Sequence, residues 1–115
     1  MSKYGEGCIV EIDVDDPRGH EQRGRRPALV VSVTAFQDAL GMAFVCPITT
    51  HGGAGRGSRN ELEVPLPAGL PVKGVVLVHQ IRAIDLVARN GEALTICPRP
   101  TLLAVRARLR AILGI

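Results

Sequence analysis

Between Gly19 and Ser32 the chain reads Gly-His-Glu-Gln-Arg-Gly-Arg-Arg-Pro-Ala-Leu-Val-Val-Ser, so that His20, Glu21, Arg23, Arg25 and Arg26 crowd around two glycines and run through Pro27 into an apolar stretch. A charged loop joined directly to a buried strand holds a guanidinium in a fixed place, because the strand cannot move. Guanidinium is permanently charged and offers a planar fork of donors, which suits a phosphate. A second motif, Cys-Pro-Ile-Thr-Thr at 46–50, ends in two hydroxyls able to donate to a phosphate oxygen. If the strands carrying the two motifs pair antiparallel, the start of one lies beside the end of the other. Arg26 and Thr49-Thr50 then converge although they are more than twenty residues apart in sequence. Alone, the two threonines would read as ordinary strand-end residues.

The composition narrows what such a site can be. At 115 residues the chain reads as one domain, 1–115, with a core burying roughly 65% of the unfolded surface. The net charge of +3 is mild, but Lys3 and Lys73 are the only lysines, so arginine makes up almost all of the basic residues. That choice favours bidentate anion recognition, although a GC-rich genome would give the same bias. Three widely spaced cysteines, Cys8, Cys46 and Cys97, argue against a zinc site or a disulfide framework and read as reduced thiols of a cytoplasmic protein. No metal and no cofactor is expected. There is no apolar run of membrane-spanning length and no signal-peptide core. Tyr4, Phe36 and Phe44 are the only aromatics, too few for a base-stacking platform.

The elements that must position these residues follow from periodicity and turn chemistry. Alternation predicts a strand over 8–14; the apolar runs 28–32 and 42–48 predict two more, joined by a short helical turn at 34–40 that Gly41 stops. Residues 51–60 form a glycine-rich loop, either a plain hairpin connection or a basic flap carrying Arg56 and Arg59. Further strands are predicted at 61–66, 74–81 and near 93–96, with a tight segment at 85–89 and an Asn90-Gly91 turn before the last. After Pro98 and Pro100, Thr101 is placed as the N-cap of a helix whose apolar face is Leu102, Val105, Leu109, Ile112 and Leu113, with Gly114 as its stop. Arg106 and Arg110 fall on another face, to be solvated or to touch RNA. The pattern predicts a mainly β fold with a C-terminal helix, built as a small, strongly curved antiparallel barrel.

Taken in order, Gly-x-Ile-Val-x-Ile-Asp-Val at 7–14, the 19–32 block, Cys-Pro-Ile-Thr-Thr at 46–50, Glu-Val-Pro-Leu at 63–66 and Gly-Val-Val-Leu-Val-x-Gln-Ile-Arg at 74–82 closely resemble the MazF/ChpB/PemK toxins. The resemblance implies an SH3-like barrel of the CcdB/MazF type, forming a homodimer that cuts single-stranded mRNA at short sequences without metal or ribosome. It also implies a cognate MazE-like antitoxin, with an acidic tail covering the RNA groove, in a heterohexamer or similar complex. The family's catalytic arginine falls on Arg26, its threonine on Thr49, and its acidic loop residue on Glu21. His20, Gln22, Thr50, Arg56, Gln80, Arg82 and Arg89 are the RNA-binding candidates. Cys8 stands where Asp is usual, Glu11 where an aromatic is frequent, His79 where Asp or Asn is common and Leu86 where many members carry Trp. The last three fall on expected dimer or groove surfaces.

Without a metal, RNA is cleaved most simply by its own 2′-hydroxyl attacking the adjacent phosphate. Arg26 suits the charge that builds on phosphorus and Thr49 a non-bridging oxygen. Arginine is a poor proton shuttle, so Glu21 or His20 is needed as base or relay. Glu21 could equally pair with Arg23 or Arg26, and His20 could be a plain loop residue. A CcdB-like gyrase-binding toxin is the alternative on the same barrel: the chain ends in Gly-Ile as those poisons do, but lacks their C-terminal Trp.

Overall fold

A computed structural model of the chain describes residues 4–14, 24–50 and 62–115; His20, Glu21, Gln22 and Arg56 lie outside the described residues. Its elements are β1 (Cys8–Asp13), β2 (Arg25–Val30), α1 (Thr34–Leu40), β3 (Ala43–Thr49), β4 (Glu63–Pro65), β5 (Val75–Leu77), β6 (Arg82–Ile84), β7 (Glu92–Ile96) and α2 (Arg99–Leu113). The strands form one sheet in the order β4-β5-β3-β2-β1-β7, with β6 also on β3, and every pairing is antiparallel. The mainly β architecture with a C-terminal helix is as the sequence predicts. "Barrel" overstates its closure: among the described residues β4 and β7 are the two edges of an open sheet.

Strands β1, β2 and β3 are buried on both faces, which is why the sequence there is apolar almost without interruption. Ile9, Leu29, Cys46, Ile48 and Val76 face α2 and pack against Leu102, Val105 and Leu109. Their neighbours Cys8, Val10, Ile12, Ala28, Val30, Val45 and Ile84 make a second core on the opposite face, closed by Tyr4 and Leu86. Leu86 is therefore a buried core residue and not part of the surface where the family resemblance places it. Burial pushes all three thiols up, Cys46 to about 12, so they stay protonated and unreactive.

The structure differs from the sequence reading at several boundaries, each for a local reason. β2 starts at Arg25 because Arg25 and Arg26 pair with Asp13 and Ile12 of β1. Pro27 is tolerated inside this strand, since its pairing to β3 begins only at Ala28 and no ladder bond on that side needs its missing N–H. The apolar stretch 74–81 is not one strand: Val78–Gln80 form a 3-10 turn between β5 and β6. β5 pairs Ile48 with Val76, and continuing that register would bring Val45 opposite His79; Val45 instead faces Arg82, three residues on. The turn absorbs those extra residues, buries Val78 in the core under α2 and leaves Gln80 exposed.

Helix α2 begins at Arg99, not after Thr101, because Pro100 sits in the first turn, where an N–H has no helical partner to lose. Thr101 donates its N–H to the Pro98 carbonyl instead of capping. Ile112 and Leu113, expected in the apolar face, are 48% and 60% exposed. Their spacing is right, so the cause is axial: the packed stripe ends at Leu109, and the last turn outruns the sheet. Arg106 is neither solvated nor turned to a ligand; its Nη2 donates to Glu6 at 3.1 Å and to the Val31 carbonyl at 3.3 Å, fastening α2 to the strand ends. Gly41 and Gly114 stop their helices at φ 71° and 73°.

Leu29, fully buried between β1 and β3 beneath α2, is the most direct probe of this packing. Leu29→Ala is expected to lower stability by about 2–5 kcal/mol in urea unfolding. A loss below about 1 kcal/mol would contradict the packing described.

Candidate active site

A cavity opens where the central ladder ends. β2 and β3 share three register pairs, the last being Ala28 with Pro47, and carrying that register two residues further sets Arg26 against Thr49. Each is fixed from its other side as well, Arg26 by pairing with Ile12 of β1 and Thr49 by pairing with Val75 of β5. Directly opposed residues of antiparallel strands send their side chains to one face. Here it is the face of Ala28 and Val45, remote from α2. The cavity there measures about 520 Å³, with a floor of Ile12, Ala28, Val45 and Pro47 and polar groups from Arg26, Thr49, Thr50, Gln80 and Arg82.

Among the described residues, the charge lining this cavity has one sign. Its described lining includes Arg25, Arg26 and Arg82 and no carboxylate, so the field favours an anion. The two adjacent arginines are used differently. Arg25 reaches the rim, but its guanidinium is held by Asp13 at 2.9 Å, Glu11 at 3.3 Å, the Asn90 carbonyl at 2.8 Å and, more distantly, Glu92 at 3.7 Å. Arg26 is exposed, and its Nη1 lies 3.4 Å from the Arg25 carbonyl. The sequence reading missed Arg25 as a buttress. The signal was available in Glu11 and Asp13, which alternate onto one face of β1, with Asp13 opposite Arg25 in the ladder.

Of the sequence-predicted residues, Arg26, Thr49, Thr50, Gln80 and Arg82 are brought together around the cavity. Arg89 is not. It belongs to the segment that follows β6, where its Nη1 donates to the Asp13 carbonyl at 3.3 Å and its own carbonyl accepts the Asp13 N–H at 3.0 Å. It braces the end of β1 behind the cavity wall. Glu21, His20, Gln22 and Arg56 lie outside the described residues. Phe36 and Phe44 stack on one another, with ring centres 5.3 Å apart, and do not line the cavity.

Residues 6–113 match the family described as PemK-like, MazF-like toxin of type II toxin-antitoxin system. The chain is 39% identical over 112 residues to the endoribonuclease toxin ChpB of Escherichia coli K12, covering 96% of this chain and 95% of that protein. It is 35% identical over 107 residues to the endoribonuclease PemK of Escherichia coli, covering 93% and 80% respectively. Its fold is similar to that in a MazE–MazF crystal structure from Deinococcus radiodurans, with a TM-score of 0.87 and 37% identity over 100% of this chain and 99% of that one.

The buttress beside the cavity sets a pH dependence. The Asn90 side-chain amide, 2.7 Å from Asp13, and then Arg25 hold the Asp13 carboxyl below the usual carboxylate range. Because the folded-state value is depressed, this stabilising charge is fully present above the ordinary range and is lost as pH falls through the lowered value. Asn90 sits at φ 54°, so Asn90→Gly keeps the backbone while deleting the amide. In that variant Asp13 is expected to titrate at higher pH than in the wild type when its carboxyl carbon is followed by NMR. An unchanged titration would remove Asn90 from the buttress.

Proposed function

Because this chain belongs to the PemK-like, MazF-like toxins of type II toxin–antitoxin systems, we propose that it is an endoribonuclease toxin that cleaves single-stranded mRNA at the cavity between Arg26 and Thr49. The observation that carries this reading is the ladder register that brings a cation and a hydroxyl from remote motifs to one anion-favouring cavity. The 2′-hydroxyl attacks the adjacent phosphorus, the bond to the 5′-oxygen breaks, and the products are a 2′,3′-cyclic phosphate and a 5′-hydroxyl. The Arg26 fork neutralises the charge that develops on the non-bridging oxygens, and Thr49 donates a hydrogen bond to one of them. A proton must leave the 2′-hydroxyl and another must reach the departing oxygen; Glu21 and His20 are the proposed carriers.

No metal enters this scheme, since a permanently charged guanidinium supplies the electrostatic stabilisation. Gln22, Thr50, Gln80 and Arg82, with Arg56, are proposed to hold the flanking nucleotides. Gln80 and Arg82 suit base edges as well as backbone, because amide and guanidinium groups both make bidentate contacts. Arg89 is proposed to act through the β1 buttress. The Deinococcus radiodurans relative is a MazE–MazF complex. A MazE-like antitoxin is proposed here too, its acidic tail competing with RNA for the arginine-lined cavity of a toxin homodimer, in a heterohexamer or similar assembly. An mRNA substrate puts the action in the cytoplasm.

The test is incubation of the purified protein with a long single-stranded RNA in EDTA. Cleavage is expected to persist and to leave 5′-hydroxyl ends, with Arg26→Ala and Thr49→Ala each slowing it by about 10²–10³-fold. Intact RNA, cleavage abolished by EDTA, or either variant cutting at the wild-type rate would contradict the proposal.

A further inference from the structure

Gly74 precedes β5 with φ at 132°, and the structure shows what a side chain there would strike. A Cβ built on it falls 2.4 Å from the Thr49 carbonyl oxygen, 2.9 Å from the Thr49 carbonyl carbon and 3.2 Å from the Thr50 nitrogen. All three atoms belong to the peptide that joins the two threonines. They are strand backbone, which cannot swing aside as the end of a long side chain can. From the other side Leu66 donates its N–H to the Gly74 carbonyl at 2.9 Å, tying Gly74 to the exit of β4. The next residue, Val75, is the ladder partner of Thr49.

We propose that Gly74 is a positioning residue for the cleavage reaction: having no side chain, it lets its backbone press on the Thr49–Thr50 peptide and so fixes the Thr49 hydroxyl against Arg26. The inference rests on the assignment of Thr49 to the reacting phosphate given above. The contact is short by about 1 Å of ordinary packing distance, so any side chain displaces the peptide by a similar amount. A misplacement of that size costs on the order of 100-fold in rate when a reacting geometry depends on it. The structure also supplies the control. Gly69 has φ 98°, the same class of conformation, and a Cβ there meets nothing within 4 Å. Gly69→Ala therefore carries backbone strain without touching Thr49.

Full-length wild type, Gly74→Ala, Gly69→Ala, Thr49→Ala and the Gly74→Ala/Thr49→Ala double variant are compared on a single-stranded RNA, at a temperature where circular dichroism shows each folded. Gly74→Ala is expected to lose about 10–100-fold in kcat with KM for the RNA within about twofold of wild type, while Gly69→Ala keeps the wild-type kcat. The double variant is expected to be no slower than Thr49→Ala. A Gly74→Ala protein with wild-type kcat and only a lower unfolding midpoint would make Gly74 merely structural and overturn the inference, leaving Thr49 in place. Wild-type kcat in Thr49→Ala would instead remove the assignment on which the inference stands. Should Gly74→Ala not fold, three-bond couplings to the Thr49 methyl in the wild type decide alone. A single χ1 rotamer supports the held peptide, and rotamer averaging overturns it.

Discussion

The register of β2 on β3 is the constraint from which the remaining geometry follows. A slip of one residue would exchange the two faces of a strand, burying Arg26 under α2 and turning Leu29 out of the core. Both faces of these strands are packed, Leu29 and Cys46 beneath α2 and Ala28, Val30 and Val45 opposite. A slip is therefore penalised twice, once on each face. Hydrophobic burial at one end of the ladder thus guards the placement of a guanidinium and a hydroxyl at the other, without either group contributing to the core.

β3 carries this load because three strands share it. β2 occupies one edge, and the other is divided between β5 and β6 on either side of the 3-10 turn. The turn brings Gln80 and Arg82 to the same cavity as Thr49. The adjacent arginines show a similar economy. Arg25 is locked by the carboxylates of β1, which hold the start of β2 in place. Arg26, its neighbour, lines the cavity.

Much of this was legible in the chain. The convergence of Arg26 with Thr49 needed only antiparallel pairing across a short connection, and α1, its Gly41 stop and the Asn90 turn follow from local chemistry. What was hidden depends on partners that no local pattern reveals. Gly74 looks like any glycine before an apolar run until the Thr49 peptide is seen against it. The 3-10 turn begins on the last residue of the apolar run Val75–Val78 and so hides at its end, since Val76 and Val78 are buried whether or not the strand continues. Ile112 and Leu113 fit a helical stripe, but periodicity gives the angle of a residue and not where the sheet beneath ends. Arg89 has the right charge for an RNA groove; only the fold shows that its guanidinium also donates to the β1 backbone at Asp13.

If Arg26 and Thr49 act on one phosphate, removing either already forfeits much of what the pair provides, and their contributions cannot be independent. A double-mutant cycle on single-turnover RNA cleavage measures this directly, using Arg26→Ala, Thr49→Ala and the two combined. The double variant is predicted to be scarcely slower than the worse single variant. Losses that simply multiply would mean that the two residues serve separate tasks and that the ladder register does not build a common site.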